Sequence, residues 1–383
     1  MNYSNLENFC YFVKDKINVD KLNNNNYIST ENMLPNKGGK TKATKIPNTK
    51  TAQAYNKNDI LVSNIRPYFK KIWKANTIGG CSNDVLVFRA NTEVSPEFLF
   101  YVLSNDTFFN YSMSTSKGTK MPRGDKKALM QYKVPNLEYN MQKKIASILS
   151  AIDDKIELNN KINTKLLQIG SLIFHKYYEL GELKTLEAIV DIIESGSREK
   201  GGAIVSGVPS VGAEKIERFG IYDYSKEKYI SKKYFNNLKK GIIKSGDVLL
   251  YKDGAYTGKS TMALNNYPYE TCAVNEHVFI LRTIKNFAQF YLYFCISKEE
   301  IKNQIFSLAS SKAAQPGLNQ KELFSVKAKI PSKKLIYEFE KIVEPLMNMI
   351  SENSLESNKL KQLRDTLLPK LMSGELDVSN LDI

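Results

Sequence analysis

Few residues in this chain have the types and spacing for covalent chemistry. Gly254-Ala255-Tyr256-Thr257-Gly258-Lys259-Ser260 follows an apolar strand and carries the glycines, lysine and hydroxyl of a phosphate-binding loop. Three residues separate its glycines where four are needed to wrap backbone N–H groups around a phosphate, and Pro268 leaves little room for the helix that must follow. The spacing therefore argues against an ATP site. Asn266-Tyr267-Pro268-Tyr269 approximates Asn-Pro-Pro-Tyr, in which the amide and the ring hold a flipped base for methylation. Its first Pro is replaced by Tyr, and no Gly-x-Gly cofactor loop accompanies it. Asp59 and Asp247 stand in turns, where Asp is favoured for conformational reasons, and no carboxylate cluster has nuclease spacing. Cys10, Cys81, Cys272 and Cys295 form no C-x-x-C pair, and His175 and His277 are far apart, so no zinc-ligand spacing exists.

What remains is binding, and the cations say to what. The 383 residues carry 55 Lys plus Arg against 40 Asp plus Glu, a formal charge of +15, which points to a polyanionic partner. Lysine outnumbers arginine heavily, as an AT-rich gene would dictate, but that bias does not explain cations over acids. Asn36 to Lys74 holds ten cations against Asp59, Lys117 to Lys133 six against Asp125, and Lys226 to Lys244 seven against Glu227. Tyr68, Phe69 and Trp73 interleave with Arg66, Lys70, Lys71 and Lys74, a pattern suited to stacking or to lining a groove.

The elements that position these runs are duplicated. Asn58-Asp59-Ile60-Leu61-Val62-Ser63 returns as Gly246-Asp247-Val248-Leu249-Leu250-Tyr251, a turn dipeptide followed by a short strand. Val85-Leu86-Val87-Phe88-Arg89 returns as Val278-Phe279-Ile280-Leu281-Arg282, and the helical run Phe98 to Ser104 as Phe290 to Ser297. Lys120-Met121-Pro122-Arg123-Gly124 with Leu129 matches Ala314-Gln315-Pro316-Gly317 with Leu323, and Val134-Pro135 matches Ile330-Pro331. After each of these prolines comes a segment of about 40 residues, nearly neutral, with an apolar stripe at helical spacing; at 1.5 Å per residue it makes a rod of roughly 60 Å. Ile145, Leu149, Ile152, Ile156, Ile162 and Leu166 mark the first stripe, and Ile342, Leu346, Leu360, Leu363, Leu367 and Leu371 the second. Pro345 is expected to kink or restart the second helix. Antiparallel pairing of the two stripes is the simplest burial of both, with Asn159, Asn160, Asn353 and Ser354 placed either at the seam or in solvent. The expected fold is α+β: two duplicated globular domains, 1–135 and 181–331, joined by spacer helices 136–180 and 332–383 into a pseudo-two-fold dumbbell.

These features together resemble the specificity subunit of type I restriction-modification systems. The resemblance rests on the duplicated Asn-Asp-Ile-Leu-Val and Gly-Asp-Val-Leu-Leu strands and on Lys312-Ala313-Ala314-Gln315-Pro316-Gly317-Leu318-Asn319 with the following Ile330-Pro331. It extends to the ending Leu368-Pro369-Lys370-Leu371-Met372-Ser373-Gly374-Glu375-Leu376, and so covers nearly the whole chain. It implies two target-recognition domains, each reading one half of a bipartite double-stranded DNA site, and helices that dock methyltransferase subunits, expected in two copies, with restriction or translocase subunits as further candidates. It also implies that this chain is not catalytic and binds no cofactor itself, S-adenosylmethionine, ATP and Mg belonging to the partners. Lys120-Met121-Pro122-Arg123-Gly124 departs from the Ala-Gln-Pro-Gly loop, as halves reading different sequences would.

The expected DNA-binding residues are Arg66, Lys70, Lys117, Lys120, Arg123, Lys126 and Lys127 in the first domain, and Arg198, Lys200, Lys252, Tyr256, Lys259, Lys312 and Gln315 in the second. Arg123 and Gln315 are the base-reading candidates, because guanidinium and amide groups bond two edge atoms of guanine or adenine. An RNA or single-stranded DNA binding protein with a coiled-coil scaffold is the alternative; it would be equally basic but would not need a stiff spacer. The apolar runs fall short of the roughly 18 residues of a membrane span, so a cytoplasmic protein with free thiols and no membrane contact is expected.

Overall fold

The computed structural model describes residues 2–254, 256–310 and 317–381. The chain forms two compact units, residues 1–154 with 360–383 and residues 155–359, so that each unit takes one piece of each long helix. Both mix sheets and helices, and each repeats the other's plan. The α+β class and the duplication expected from the sequence are therefore present.

In the first unit an antiparallel sheet orders Cys10–Phe12, Val85–Ala90, Ile60–Ser63 and Ile72–Lys74. The second unit builds the same sheet from Val190–Ser195, Val278–Thr283, Val248–Tyr251 and Ser260–Met262. The central strands are buried on both faces, which is why Ile60-Leu61-Val62 and Val248-Leu249-Leu250 read as continuous apolar runs rather than alternating ones. A smaller mixed sheet packs beside each: Lys16–Asn18, Thr51–Tyr55, Gly79–Cys81 and Tyr27–Ile28 in the first unit, Tyr229–Ile230, Val208–Val211 and Ala273–Val274 in the second. Helices Pro96–Ser104 and Gln289–Ser297 cover the larger sheets. Ser95 caps the first through the Phe98 N–H, with Pro96 inside the start. The Gln289–Ser297 helix is buried nearly all round, so it has no amphipathic signature.

The turns before the two central strands share a device. Asp59 accepts the Asn56 N–H and a bidentate pair from Arg89, at 2.7 and 2.8 Å. Asp247 accepts the Lys244 N–H and a bidentate pair from Arg282, both contacts at 2.7 Å. These aspartates are thus more than turn formers: each ties its turn to the neighbouring strand through a buried, hydrogen-bonded ion pair. Burial pushes the Asp247 carboxyl up, partly offset by Arg282.

The long helices span Tyr139–Glu179 and Lys333–Ser373. Within the second unit Asn159 meets Glu356 and Ser357 while Asn163 meets Ser354, so the pieces run antiparallel there. In the first unit Ile145 and Leu149 share a core with Leu368, Leu371 and Met372, and Arg364 pairs with Asp153 at 2.6 Å. Ile145, Leu149, Ile156 and Leu371 are buried and Ile152, Ile162, Leu166, Leu346, Leu360 and Leu367 partly so, but Ile342 and Leu363 are each 47% exposed. The seam of the second helix lies instead on Ile336, Phe339, Val343, Met347 and Ile350, continued by Ser351, Ser354 and Ser357. Small serines carry the stripe past Ile350, Ser354 and Ser357 facing buried Asn163 and Asn159 while Ser351 donates to the Leu264 carbonyl, and an apolar period cannot register them. Asn160 faces solvent. The helix continues through Pro345, contrary to the expected break; Pro345 lies on the exposed face, where water can serve the carbonyl left without a donor. In the first helix Gly170 admits the Phe294 ring, which a Cβ would meet at 2.6 Å.

Candidate nucleic-acid interface

In the first unit the loop 64–71 leaves the central strand and returns along the edge strand. Arg66 and Lys70, flanking the turn Pro67–Phe69, both hold φ of +50°, a left-handed conformation rare for non-glycine residues. Cross-strand contacts explain how they are kept there. Asn64 N–H donates to the Asp84 carbonyl at 2.8 Å and Arg66 N–H to the Pro122 carbonyl at 2.8 Å, and Ile65 bridges to Arg123, which bridges in turn to Lys117. The fold thus gathers Arg66, Lys117 and Arg123 on adjoining segments that lie far apart in sequence. Arg123 Nε and Nη2 each lie 3.3 Å from Asp84 Oδ1, and Lys117 pairs with Asp125 at 2.6 Å. Asp125 also caps the short helix that carries Lys126 and Lys127, both exposed, as is Lys120.

Lys70 is less available than expected, since it shares Asp106 with Lys37, at 2.8 and 2.9 Å. Burial raises the Asp106 carboxyl, but hydrogen bonds from Lys70 and Lys37 outweigh it and hold the group below its ordinary range. Two half-buried cations on one carboxylate still leave net positive charge at this edge.

The second unit places residues 252–254 and 256–259 at the equivalent turn. Gly254 and Gly258 have φ of +101° and +98°, matching Arg66 and Lys70 position for position when counted from the strand ends. The glycines that suggested a phosphate loop are therefore conformational. Lys252 N–H donates to the His277 carbonyl at 3.2 Å, and Asp253 bridges to Gly317. Lys252 lies over the Phe279 ring and beside Asp253. Tyr256 stands out at the tip, 61% exposed, with Lys259 over its ring at 4.6 Å and paired to Glu217. Arg198 belongs to another loop, 3.9 Å from Glu276, where a cleft of about 160 Å³ opens between Arg198, Asn275 and His277. Lys200 is exposed on that loop without being drawn into the cleft. Lys312 and Gln315 lie outside the described residues.

Asp84, Asp253 and His277 were not singled out by sequence reasoning. A signal existed: Asp84 and His277 each immediately precede the repeated strand, Val85 to Arg89 and Val278 to Arg282, so the internal alignment already sets them opposite one another. Among the described residues no group of three or more His, Cys, Asp and Glu side chains could hold a metal ion. The four thiols are buried and free; burial pushes those of Cys81 and Cys272 up to about 12, so neither is a nucleophile at neutral pH. Among the described residues, no helix is long and apolar enough to cross a membrane.

Two similarly braced loop sets thus stand at equivalent turns of the duplicated sheets. The family of type I restriction-modification DNA specificity domains matches residues 5–168 and 183–365, and the chain belongs to that family. Its role is DNA sequence specificity within such a system. Over 75% of its length it is 27% identical to the MjaIX type I restriction enzyme specificity subunit of Methanocaldococcus jannaschii, covering 71% of that protein. It is 24% identical to the HindI specificity subunit of Haemophilus influenzae over 85% of its length and 88% of the relative. The crystal structure of a type I restriction-modification S subunit from M. genitalium shares the fold, with a TM-score of 0.57 at 17% identity over 99% of this chain and 96% of that one.

Proposed function

We propose that each unit reads one half of a bipartite duplex site, with lysines on phosphates and a few planar side chains on base edges, and that the long helices dock methyltransferase subunits, two per chain. The observation that carries this is the repeated bracing of the two loop sets beside the duplicated family match. The chain itself is non-catalytic; S-adenosylmethionine, ATP and Mg act on the partners, which include a restriction subunit where cleavage occurs, and the complex works in the cytoplasm. Stacking on single strands would need runs of exposed rings, whereas here Tyr68 and Tyr256 each stand at one loop tip.

The test is binding. The full chain with its copurifying subunits is titrated with duplex and single-stranded oligonucleotides of one sequence, and specific duplex binding with a steep salt slope is expected. Arg123→Ala should relax preference at one or two base pairs by about 1 to 3 kcal/mol, and Lys120→Ala should weaken all duplexes and lower the salt slope by about one. Equal loss on specific and random duplex from both variants would show the roles are misassigned. Transfer of a labelled methyl group by the chain alone would refute the non-catalytic role.

A further inference from the structure

The two loop sets share a backbone and differ in what is planted on it. The hydrogen bond from Asn64 to Asp84 in the first unit has its counterpart from Lys252 to His277 in the second, and the bridge Ile65 to Arg123 has its counterpart from Asp253 to Gly317. The first unit therefore sets a guanidinium, Arg123, against a carboxylate, Asp84. In the second unit the place of Arg123 falls to Gly317, which has no side chain, and the place of Asp84 falls to His277. A new pair forms across the same junction: His277 Nδ1 lies 2.8 Å from Asp253 Oδ1.

We infer that His277 is the base-reading residue of the second unit, an imidazole anchored by Asp253 where the first unit anchors Arg123 on Asp84. Three observations support this, on the reading of each unit as a half-site reader. First, the ring is half-exposed on the wall of the cleft it shares with Arg198 and Asn275, not packed in the core. Second, a carboxylate can only accept, so Asp253 assigns the proton to Nδ1 and leaves Nε2 as the reading atom. Nε2 lies 3.6 Å from Glu276 Oε1, beyond hydrogen-bond distance, with Glu276 on the same cleft wall. Third, features common to both units cannot distinguish two half-sites. Tyr68 and Tyr256, five residues after the matching strand ends, are both exposed and suit contacts independent of sequence, whereas His277 against Asp84 is a difference at one backbone position. The ligand is a base edge in the major groove, where an imidazole nitrogen discriminates donors from acceptors.

The test is selection from a library of random-sequence duplexes by the full chain with its copurifying subunits, for wild type, His277→Ala, Asp253→Asn and Tyr256→Ala. His277→Ala should lose discrimination at one or two adjacent pairs of one half-site by roughly 5- to 150-fold, with the other half-site intact as the internal control of folding. Asp253→Asn should loosen the same pairs less, and Tyr256→Ala should weaken all sequences alike. An unchanged preference in His277→Ala, or loss spread over both half-sites, overturns the assignment of His277 while leaving bipartite reading in place. A wild-type selection without two half-sites overturns that reading, and the His277 assignment with it.

Discussion

The first and second units solve the same local problems with different residues, and the differences separate scaffold from reading surface. At the ion pair below the central strand they agree, Asp59 with Arg89 and Asp247 with Arg282. At the start of the short covering helix they diverge. In the first unit Pro96 removes one donor, and Gln142 from the long helix accepts the Ser95 N–H at 3.0 Å. In the second unit two donors are left, and Glu340 accepts both the Phe290 and Tyr291 N–H groups, at 3.2 and 2.7 Å. A buried polar group must be satisfied, but which side chain does so is free to drift. Residues that agree hold the fold; residues that differ at one braced position are where two sequences could be told apart.

The largest expected effect strikes where the units agree. Asp247→Ala strips the half-buried Arg282 of its bidentate partner and the turn of its cap, and should cost about 3 to 5 kcal/mol in urea unfolding. Asp59→Ala should fall toward the lower end, because Arg89 is 26% exposed against 12% for Arg282 and water can reach it. Equal and small losses in both would mean the pair is ornamental. Next comes the helix seam of the second unit, where Ile350→Ala should cost about 2 to 5 kcal/mol and Ile342→Ala no more than about 0.5. Reversed magnitudes would restore the stripe read from the sequence.

The Glu340 difference predicts a pH dependence confined to the second unit. Desolvation raises this carboxyl to about 8, although the two backbone donors pull it down. Between the ordinary carboxylate range and about 8 the folded state holds a proton that the unfolded state has released. Its contribution to stability is therefore present at low pH and is lost as pH rises toward 8, at up to about 1.4 kcal/mol per unit. Glu340→Gln should flatten the stability profile between pH 5 and 8. A profile unchanged by the substitution would place the ionised carboxylate comfortably at the helix start.

The duplication, the α+β class and the basic loops were legible in the sequence because repeated turn-strand signals and charge runs are local. Arg66, Lys117 and Arg123 were legible as cations, not as neighbours; their approach depends on pairing between segments 50 residues apart. The helix seam was misplaced at Ile342, next to the buried Val343, because apolar residues on both faces of that stretch admit two stripes; past Ile350 the seam runs on through serines, which an apolar period cannot register. His277 is not legible in the sequence because nothing local marks a lone histidine as a reading residue, and its partner Asp253 becomes a neighbour only once the turn after Tyr251 is formed. The spacing of Gly254 and Gly258 already argues against a phosphate loop, and Arg66 and Lys70 in the same backbone conformation show what the glycines are for.

That last correspondence supplies the smallest and most discriminating prediction. Holding Arg66 in the left-handed region costs on the order of 1 kcal/mol, and its Nε is buried without a hydrogen-bond partner. The second unit avoids both costs with Gly254. Arg66→Gly removes the strain and the orphaned donor but loosens the unfolded chain by about 0.5 to 1 kcal/mol, so stability should be unchanged or rise by up to about 1 kcal/mol. Duplex binding should nevertheless fall, because a strained cation that the fold could replace with glycine is retained for something other than the fold. Gly254→Ala, by the same reasoning, should destabilise by about 1 kcal/mol. Thermal unfolding and duplex titration of the two variants decide it: a clear loss of stability in Arg66→Gly, with binding unaltered, would make Arg66 a structural residue and take it out of the interface.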